Sequence, residues 1–410
     1  MKESSKINPN LRFPTFKEDW EPVKLNEILK EHKKRNSKGE YEEVFSVAKE
    51  KGVINQIEHL GRSYASDDIS NYKAVFPNDV VYTKSPTAGF PFGIIKQNKT
   101  NRTGVVSVLY AVFKPKNNEL GLLLDFYFSS KVNTYNYLVP IVHIGAKNTM
   151  NIGNEDFLNG KKIALPININ EQKKINSFLC SVEERLTQLR TKSKLLEDYR
   201  KSIIQKIFSQ ELKFKDDSGK LFPQWKEIDV KKILKRYSEP VIVDSGKYYS
   251  QIGIRSHGKG IFYKEPVQGM TLGNKRVFWI KEDLLTLNIV FAWERAVAKT
   301  SKNEIGMIAS HRFPMYKPVG GVLDLDYILY FFLTPRGKYY LELASPGGAG
   351  RNKTLGQTEF ENLKFKIPSF NEQLKISSFL NSIDKQIEFV TEQIVQSVKF
   401  KDGLLQNMFI

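Results

Sequence analysis

The residues best suited to chemistry in this chain lie in short loops that mix glycine or serine with lysine and arginine. In the first half, Lys84-Ser85-Pro86-Thr87-Ala88-Gly89 is followed by Lys96, Lys99 and Arg102. In the second half come Arg295, Lys299, the pair His311-Arg312, and a glycine-rich stretch, Ser345 to Lys353, that carries Arg351. Ser107 and Ser310 join this set as an aligned pair of polar residues in the two halves. Lysine, arginine and loop N–H groups bind phosphate oxygens, while arginine, asparagine, serine and histidine also reach the hydrogen-bonding edges of bases. A single surface lysine is more often only a solvated charge. The expectation therefore rests on the loops rather than on any one residue.

The overall charge agrees. Lys and Arg number 63 against 45 Asp and Glu, a formal net charge of +18 over 410 residues. Such a surplus attracts polyanions: phosphate backbones first, anionic membrane surfaces as the alternative, with a mere solubility charge as the bland reading. Hydrophobic residues make up 40% of the chain, enough for globular cores. Cys180 is the only cysteine, so no internal disulfide forms. The first residues, Met1-Lys2-Glu3-Ser4-Ser5, lack the apolar core of a signal peptide, and no uncharged apolar run reaches the ~18 residues of a membrane span. A cytoplasmic protein without a membrane is expected.

Catalytic patterns are scarce. Gly253-Ile254-Arg255-Ser256-His257-Gly258-Lys259-Gly260 nearly matches a phosphate-binding loop, but Gly260 stands where the Mg²⁺-binding serine or threonine belongs. His32, His59, His143, His257 and His311 are scattered, without metal-ligand spacing to each other or to Cys180. Carboxylate-x-Lys triplets occur at Glu211-Leu212-Lys213 and Asp229-Val230-Lys231, neither after an acidic strand. No glycine-rich cofactor loop or nucleophile elbow is present. The expectation is no catalytic residue, no metal and no cofactor in this chain.

What must position the loops is a duplication. Asn170-Glu171-Gln172 recurs as Asn371-Glu372-Gln373, 201 positions later. The same offset carries Ile175, Phe178 and Leu179 onto Ile376, Phe379 and Leu380, and Gln205-Lys206-Ile207-Phe208 onto Gln406-Asn407-Met408-Phe409. Phe13-Pro14-Thr15-Phe16-Lys17-Glu18 corresponds to Phe222-Pro223-Gln224-Trp225-Lys226-Glu227. Between these landmarks the match thins: Gly104, Ser107, Tyr110 and Pro115 fall on Gly306, Ser310, Phe313 and Pro318. Repeats of this kind decide the architecture before any local reading does.

The well-matched ends read as long helices. Asn168 with Glu171, and Ser369 with Glu372, have capping-box spacing. Apolar residues then alternate by four and three: Ile175, Leu179, Val182, Leu186, Leu189, Leu196, Ile203 and Ile207 in one copy; Ile376, Leu380, Ile383, Ile387, Val390, Ile394, Leu404 and Met408 in the other. That is a coiled-coil seam, available to its twin or to a partner chain. The stripe breaks at Arg200 and at Lys401, either as a register device, as a site for a partner chain, or as a solvated end of the seam. About 40 residues at 1.5 Å each span ~60 Å. If the two helices pair antiparallel, the molecule has a pseudo-twofold axis.

The weakly matched bodies read as mixed α/β. Asp79–Thr83 and Val105–Phe113 look like strands, with counterparts near Leu287–Trp293 and Met307–Tyr316. Leu122–Phe128 and Tyr327–Leu333 read as short helices packed on a sheet. The expected organisation is α/β (mixed α+β) in two copies: bodies at 1–166 and 212–367, and two long antiparallel coiled-coil helical regions at 167–211 and 368–410.

This combination resembles a known family. Pro368 with Asn371–Ile376, the first copy at Pro166 and Asn170–Ile175, and the closing Gln-x-x-Phe pairs look like the specificity subunit of type I restriction–modification enzymes. The resemblance implies that each body is a target-recognition domain for one half of a split sequence in double-stranded DNA. The helices would then set the spacer length and dock two methyltransferase subunits. S-adenosylmethionine, ATP and Mg²⁺ would sit on the methyltransferase and restriction–translocase partners. Ala292-Trp293-Glu294-Arg295-Ala296 resembles a strand-end feature of the family's domains, where the first copy departs with Tyr82-Thr83-Lys84-Ser85. Two other classes remain: a self-contained DNA methyltransferase or nuclease, against which the lack of an Asn/Asp-Pro-Pro-aromatic tetrapeptide counts, and a repressor of a split operator.

Overall fold

The computed structural model describes residues 8–144, 150–347 and 353–409. The chain divides into two units, residues 1–191 with 392–410, and residues 192–391. Each holds a body built on the same strand plan.

In the first unit, after a short strand at Glu21–Val23 that pairs with Ile163–Leu165, eight strands build the sheets of the body. They are β1 (Leu29–Glu31), β2 (Phe45–Ala48), β3 (Gly52–Asn55), β4 (Lys73–Val75), β5 (Val80–Thr83), β6 (Ile94–Gln97), β7 (Gly104–Val106) and β8 (Ala111–Pro115). One sheet has the order β1-β8-β5-β6. The others pair as β2-β3 and β4-β7, tied by a parallel bridge between Val44 and Val105. Helix α1 (Asn118–Tyr127) follows, its first turn capped by the Asn117 side chain on the Leu120 N–H. Helix α2 runs from Ile169 to Phe208.

Strand alternation sorts the core. Val80, Tyr82, Ile95, Ala111 and Phe113 pack with α1, with Ile175 and Leu179 of α2, and with Leu404, Leu405, Met408 and Phe409. Val81 and Val112, one residue out of phase, pack on Phe45, Val53, Val75 and Val106 of the second layer. The main sheet is thus covered on both faces, which explains why β5 has no exposed position.

The second unit repeats this. Its strands are β9 (Leu234–Tyr237), β10 (Tyr248–Ile254), β11 (Ile261–Gln268), β12 (Val277–Trp279), β13 (Leu285–Leu287), β14 (Val297–Lys299), β15 (Ile308–Ser310) and β16 (Met315–Pro318). The orders are β9-β16-β13-β14 and β11-β10-β15-β12, strand for strand those of the first unit. Helix α3 (Leu325–Leu333) is capped by Asp324, as α1 is by Asn117. Helix α4 runs from Phe370 to Met408. Ile204, Ile207 and Phe208, at the end of α2, pack here with Ile376, Leu380 and Ile383 at the start of α4.

The long helices explain the repeat's strongest residues. Glu171 receives both Arg12 (Nε at 2.6 Å, Nη2 at 2.8 Å) and the Trp20 indole N–H at 3.2 Å. Glu372 receives the Trp225 indole at 3.3 Å and no arginine; its Oε2 is buried without a partner. Both carboxylates therefore turn outward to the preceding body instead of closing the reciprocal capping box that their spacing predicts. The adjacent glutamines staple the strand-to-helix turn. Gln172 donates to the Pro166 carbonyl, and Gln373 to the carbonyls of Pro368 and Val322. The closing phenylalanines fill aromatic cages: Phe409 between Trp20 and Tyr127, Phe208 between Trp225 and Tyr327.

Of the seam residues, Ile175, Leu179, Leu186, Leu189, Ile207, Ile376, Leu380, Ile383, Val390, Leu404 and Met408 are buried. Val182, Leu196, Ile203, Ile387 and Ile394 are half-buried. Where the stripe breaks, Arg200 meets Asp384 within the second unit, and Lys401 meets Glu183 at 2.7 Å within the first.

Three strand expectations are corrected. Val105–Phe113 is not one strand, because a turn closed by Tyr110 N–H on the Ser107 carbonyl sends β7 and β8 into different sheets. Met307–Tyr316 is broken likewise, by Phe313 N–H on the Ser310 carbonyl. The run Leu287–Trp293 stops as a strand at Leu287 and ends in a short 3-10 turn, Ala292–Glu294. Of the two expected short helices, Leu122–Phe128 falls on α1 and its C-cap residue Phe128, and Tyr327–Leu333 lies within α3.

Candidate nucleic-acid interface

The basic residues separate into those the fold consumes and those it leaves available. Lys96, on β6, is buried and donates to Asp125 at 2.8 Å and Ser129 at 2.6 Å. Burial alone would raise the Asp125 carboxyl, but Lys96 and Lys99 together hold it well below the usual carboxylate range. Lys99 spans Asp125 at 3.0 Å and Glu183 of α2 at 3.5 Å. Burial pulls its pKa down and those two carboxylates more than offset this. Arg102 grips Glu58 through two nitrogens, at 2.7 and 2.8 Å. Lys299 lies between Asp326 at 3.1 Å and Asp283 at 3.6 Å. Arg295 has positive φ, and its Nη1 donates to the Leu333 carbonyl at 2.9 Å.

Lys96 is thereby withdrawn from the expected phosphate contacts: its charge is neutralised inside the first unit. Lys99, Arg102 and Lys299 keep partial exposure, yet each is held by carboxylates of its own unit. The sequence could not show this, because the partners Asp125, Glu58 and Asp326 come from other elements.

The second group lines or flanks a cavity in each unit. Lys84 is half-buried, donates to the Ile152 carbonyl, and has its pKa lowered by burial and by Lys73. Lys73 has its pKa lowered chiefly by burial and donates to the Tyr110 carbonyl at 2.6 Å. Both line an open cavity of about 530 Å³ with Lys33, the Val108–Tyr110 turn and the carboxylates of Glu31, Glu155 and Asp156. Ser85 is exposed beside it in sequence. In the second unit, His311, Phe313 and Arg276 line a cavity of about 230 Å³ with Arg236 and Tyr237. Ser310, His311 and Arg312 form the turn there, the last two exposed. Lys353 lies over the Trp293 ring, 5.6 Å from its centroid. Arg351 lies outside the described residues.

Sequence reading missed Lys33, Lys73 and Arg276, which reach these cavities from strand ends. It also missed Arg12 as the partner of Glu171. Their only signal was position beside landmarks: Arg12 precedes the Phe13-Pro14 pair, and Lys33 follows the strand that opens the body.

The near-match to a phosphate-binding loop is a β-hairpin. Gly253 and Ile254 end β10, His257, Gly258 and Gly260 take positive φ in the turn, and β11 follows directly. No helix N-terminus stands there to hold a phosphate. Among the described residues, no group of three or more His, Cys, Asp or Glu is arranged to hold a metal ion. No helix among them is long and apolar enough to cross a membrane.

Residues 286–399, from β13 into α4, match the family model described as "Type I restriction modification DNA specificity domain". Over that stretch the chain resembles the specificity subunits of type I restriction–modification systems. Along its length it is similar to the MjaVIII specificity subunit of a type I restriction enzyme from Methanocaldococcus jannaschii, at 22% identity over 98% of this chain and 94% of that one. Among solved structures, the specificity subunit of a type I system from M. genitalium shares its fold (TM-score 0.55, 16% identity, 98% of this chain and 99% of that one). So does a chain from a structure described as the basis of complex assembly and conformational transition of the type I system (TM-score 0.51, 14% identity, 94% and 96%).

Proposed function

We propose that this chain is the non-catalytic specificity subunit of a type I restriction–modification complex, reading a bipartite site in double-stranded DNA with one recognition domain for each half-site. The observation that carries this is the strand-for-strand repetition of one fold, each copy closed by the long helix of the other repeat. The recognition domains are residues 1–166 and 212–367. The helical regions 167–211 and 368–410 set the spacer and dock two methyltransferase subunits. S-adenosylmethionine is bound by those subunits, and ATP and Mg²⁺ by the restriction–translocase subunits. The net charge of +18 supports a nucleic-acid partner. The complex works in the cytoplasm, where its DNA is.

The test is reconstitution. The purified chain alone binds DNA weakly, with affinity falling steeply as salt rises. Adding the methyltransferase subunits and S-adenosylmethionine produces methylation at one split sequence. Methylation that is indifferent to sequence, or to the presence of this chain, contradicts the reading. Methylation or cleavage by the chain alone contradicts its non-catalytic role.

A further inference from the structure

Both units carry the same four-residue turn at the same place in the same topology. In the first it is Ser107-Val108-Leu109-Tyr110, between β7 and β8; in the second, Ser310-His311-Arg312-Phe313, between β15 and β16. Each is closed by the N–H of its aromatic residue on the serine carbonyl, at 3.0 and 2.8 Å. Each lines a cavity of its own unit, where Lys33, Lys73 and Lys84 share the lining with Glu31, Glu155 and Asp156 in the first, and Arg236 and Arg276 stand in the second. The frames match and the tips do not. Val108 and Leu109 project aliphatic side chains into solvent, Leu109 at 71% exposure. At the equivalent positions His311 and Arg312 project an imidazole and a guanidinium, both exposed.

A leucine this exposed on the rim of a cavity lined by Lys33, Lys73 and Lys84 contributes nothing to the core beneath it. Those ammonium groups are suited to phosphates, and the tip to what lies beside phosphates in a groove. Aliphatic groups distinguish bases through the thymine methyl, whereas arginine and histidine donate to the O6 and N7 acceptors of guanine. Resting on the reading of the chain as a DNA-specificity subunit, we infer that the two tips are the specificity-determining pairs. Val108-Leu109 contacts a thymine methyl in one half-site, and His311-Arg312 donates to a guanine in the other. The fold thus holds one reading frame fixed and varies two side chains.

The test uses the full chain assembled with its methyltransferase subunits, the methylated motif being read by sequencing. Val108→His with Leu109→Arg changes one or two adjacent base pairs in one half-site and leaves the other half intact. His311→Val with Arg312→Leu changes the other half-site instead. An unchanged motif in both variants, or one variant altering both halves, overturns the inference. For a variant that methylates nothing, Leu109→Ala and Arg312→Ala are compared on duplexes altered one base pair at a time. A loss of preference of roughly 10- to 100-fold at one position is expected, and unchanged preference everywhere overturns it. Failure of the parent reading looks different: the wild-type complex then shows no sequence preference at all.

Discussion

Arg200 is ion-paired with Asp384, and the residues 201 positions from each, Lys401 and Glu183, are ion-paired with each other. The two breaks in the apolar stripe are therefore one device used twice. In the second unit Asp384 also accepts the Tyr330 hydroxyl at 2.6 Å, and in the first Glu183 also meets Lys99. Each charge pair ties the helices to the body beside them. It fixes register where leucine and isoleucine, which slide at little cost, would not.

The first prediction concerns these pairs. Glu183→Lys and Lys401→Glu, made singly, each lower the melting temperature, and the double exchange restores most of the loss. A double-mutant cycle should give a coupling of about 0.5–1 kcal/mol, the range for partly exposed pairs. Strictly additive effects would show that the pair is only incidental.

Phe409 packs on Trp20 and Tyr127, though it lies nearly four hundred residues from Trp20. It is 3% exposed. Phe409→Ala should cost about 3–5 kcal/mol. Hydrogen exchange should locate the loss in the first unit, around α1 and the start of α2, with the second unit still protected. Loosening confined to residues 192–391 would contradict the packing.

Equivalent glutamates should respond with opposite signs. Glu171→Gln gives up the Arg12 fork and should cost about 1–3 kcal/mol. Glu372 has no arginine, and burial raises its carboxyl pKa despite the Trp225 hydrogen bond. A folded pKa above the unfolded one means the folded state holds its proton longer. Stability from this group is greatest below the ordinary glutamate range and falls as pH rises through the raised value. Glu372→Gln should thus raise the melting temperature at neutral pH and change nothing at low pH. A drop at neutral pH would refute this account of the site.

Lys96 should act on stability. Lys96→Met leaves buried Asp125 with Lys99 as its one ammonium partner, which should cost about 3–5 kcal/mol. The depressed Asp125 carboxyl stabilises the folded state above the ordinary aspartate pKa, and that contribution is lost as pH falls toward its folded value. Asp125→Asn should flatten the acid limb of the stability profile. An unshifted melting temperature in Lys96→Met, with weakened DNA binding, would return Lys96 to the interface.

The helices and the duplication were legible because their signals are local and periodic. Asn170-Glu171-Gln172 and its repeat are visible by eye, and the four-three alternation from Ile175 to Ile207 needs no partner to be read. The body's strands were legible as apolar runs, but their ends were not. The turns at Ser107–Tyr110 and Ser310–Phe313 lack glycine and proline at their central positions, so the runs read as unbroken. The basic residues were the least legible. Lys96 and Lys84 have similar neighbours in sequence, yet one is buried against Asp125 and the other lines an open cavity. Only the tertiary partner distinguishes them.

The central claim is that each repeat reads its own half-site. It is tested most directly by replacing residues 225–367 with the recognition domain of a different specificity subunit and sequencing the methylated motif of the assembled complex. The account predicts that one half of the split motif changes and the other half is kept base for base. A motif that stays the same, or one that changes in both halves, would contradict it.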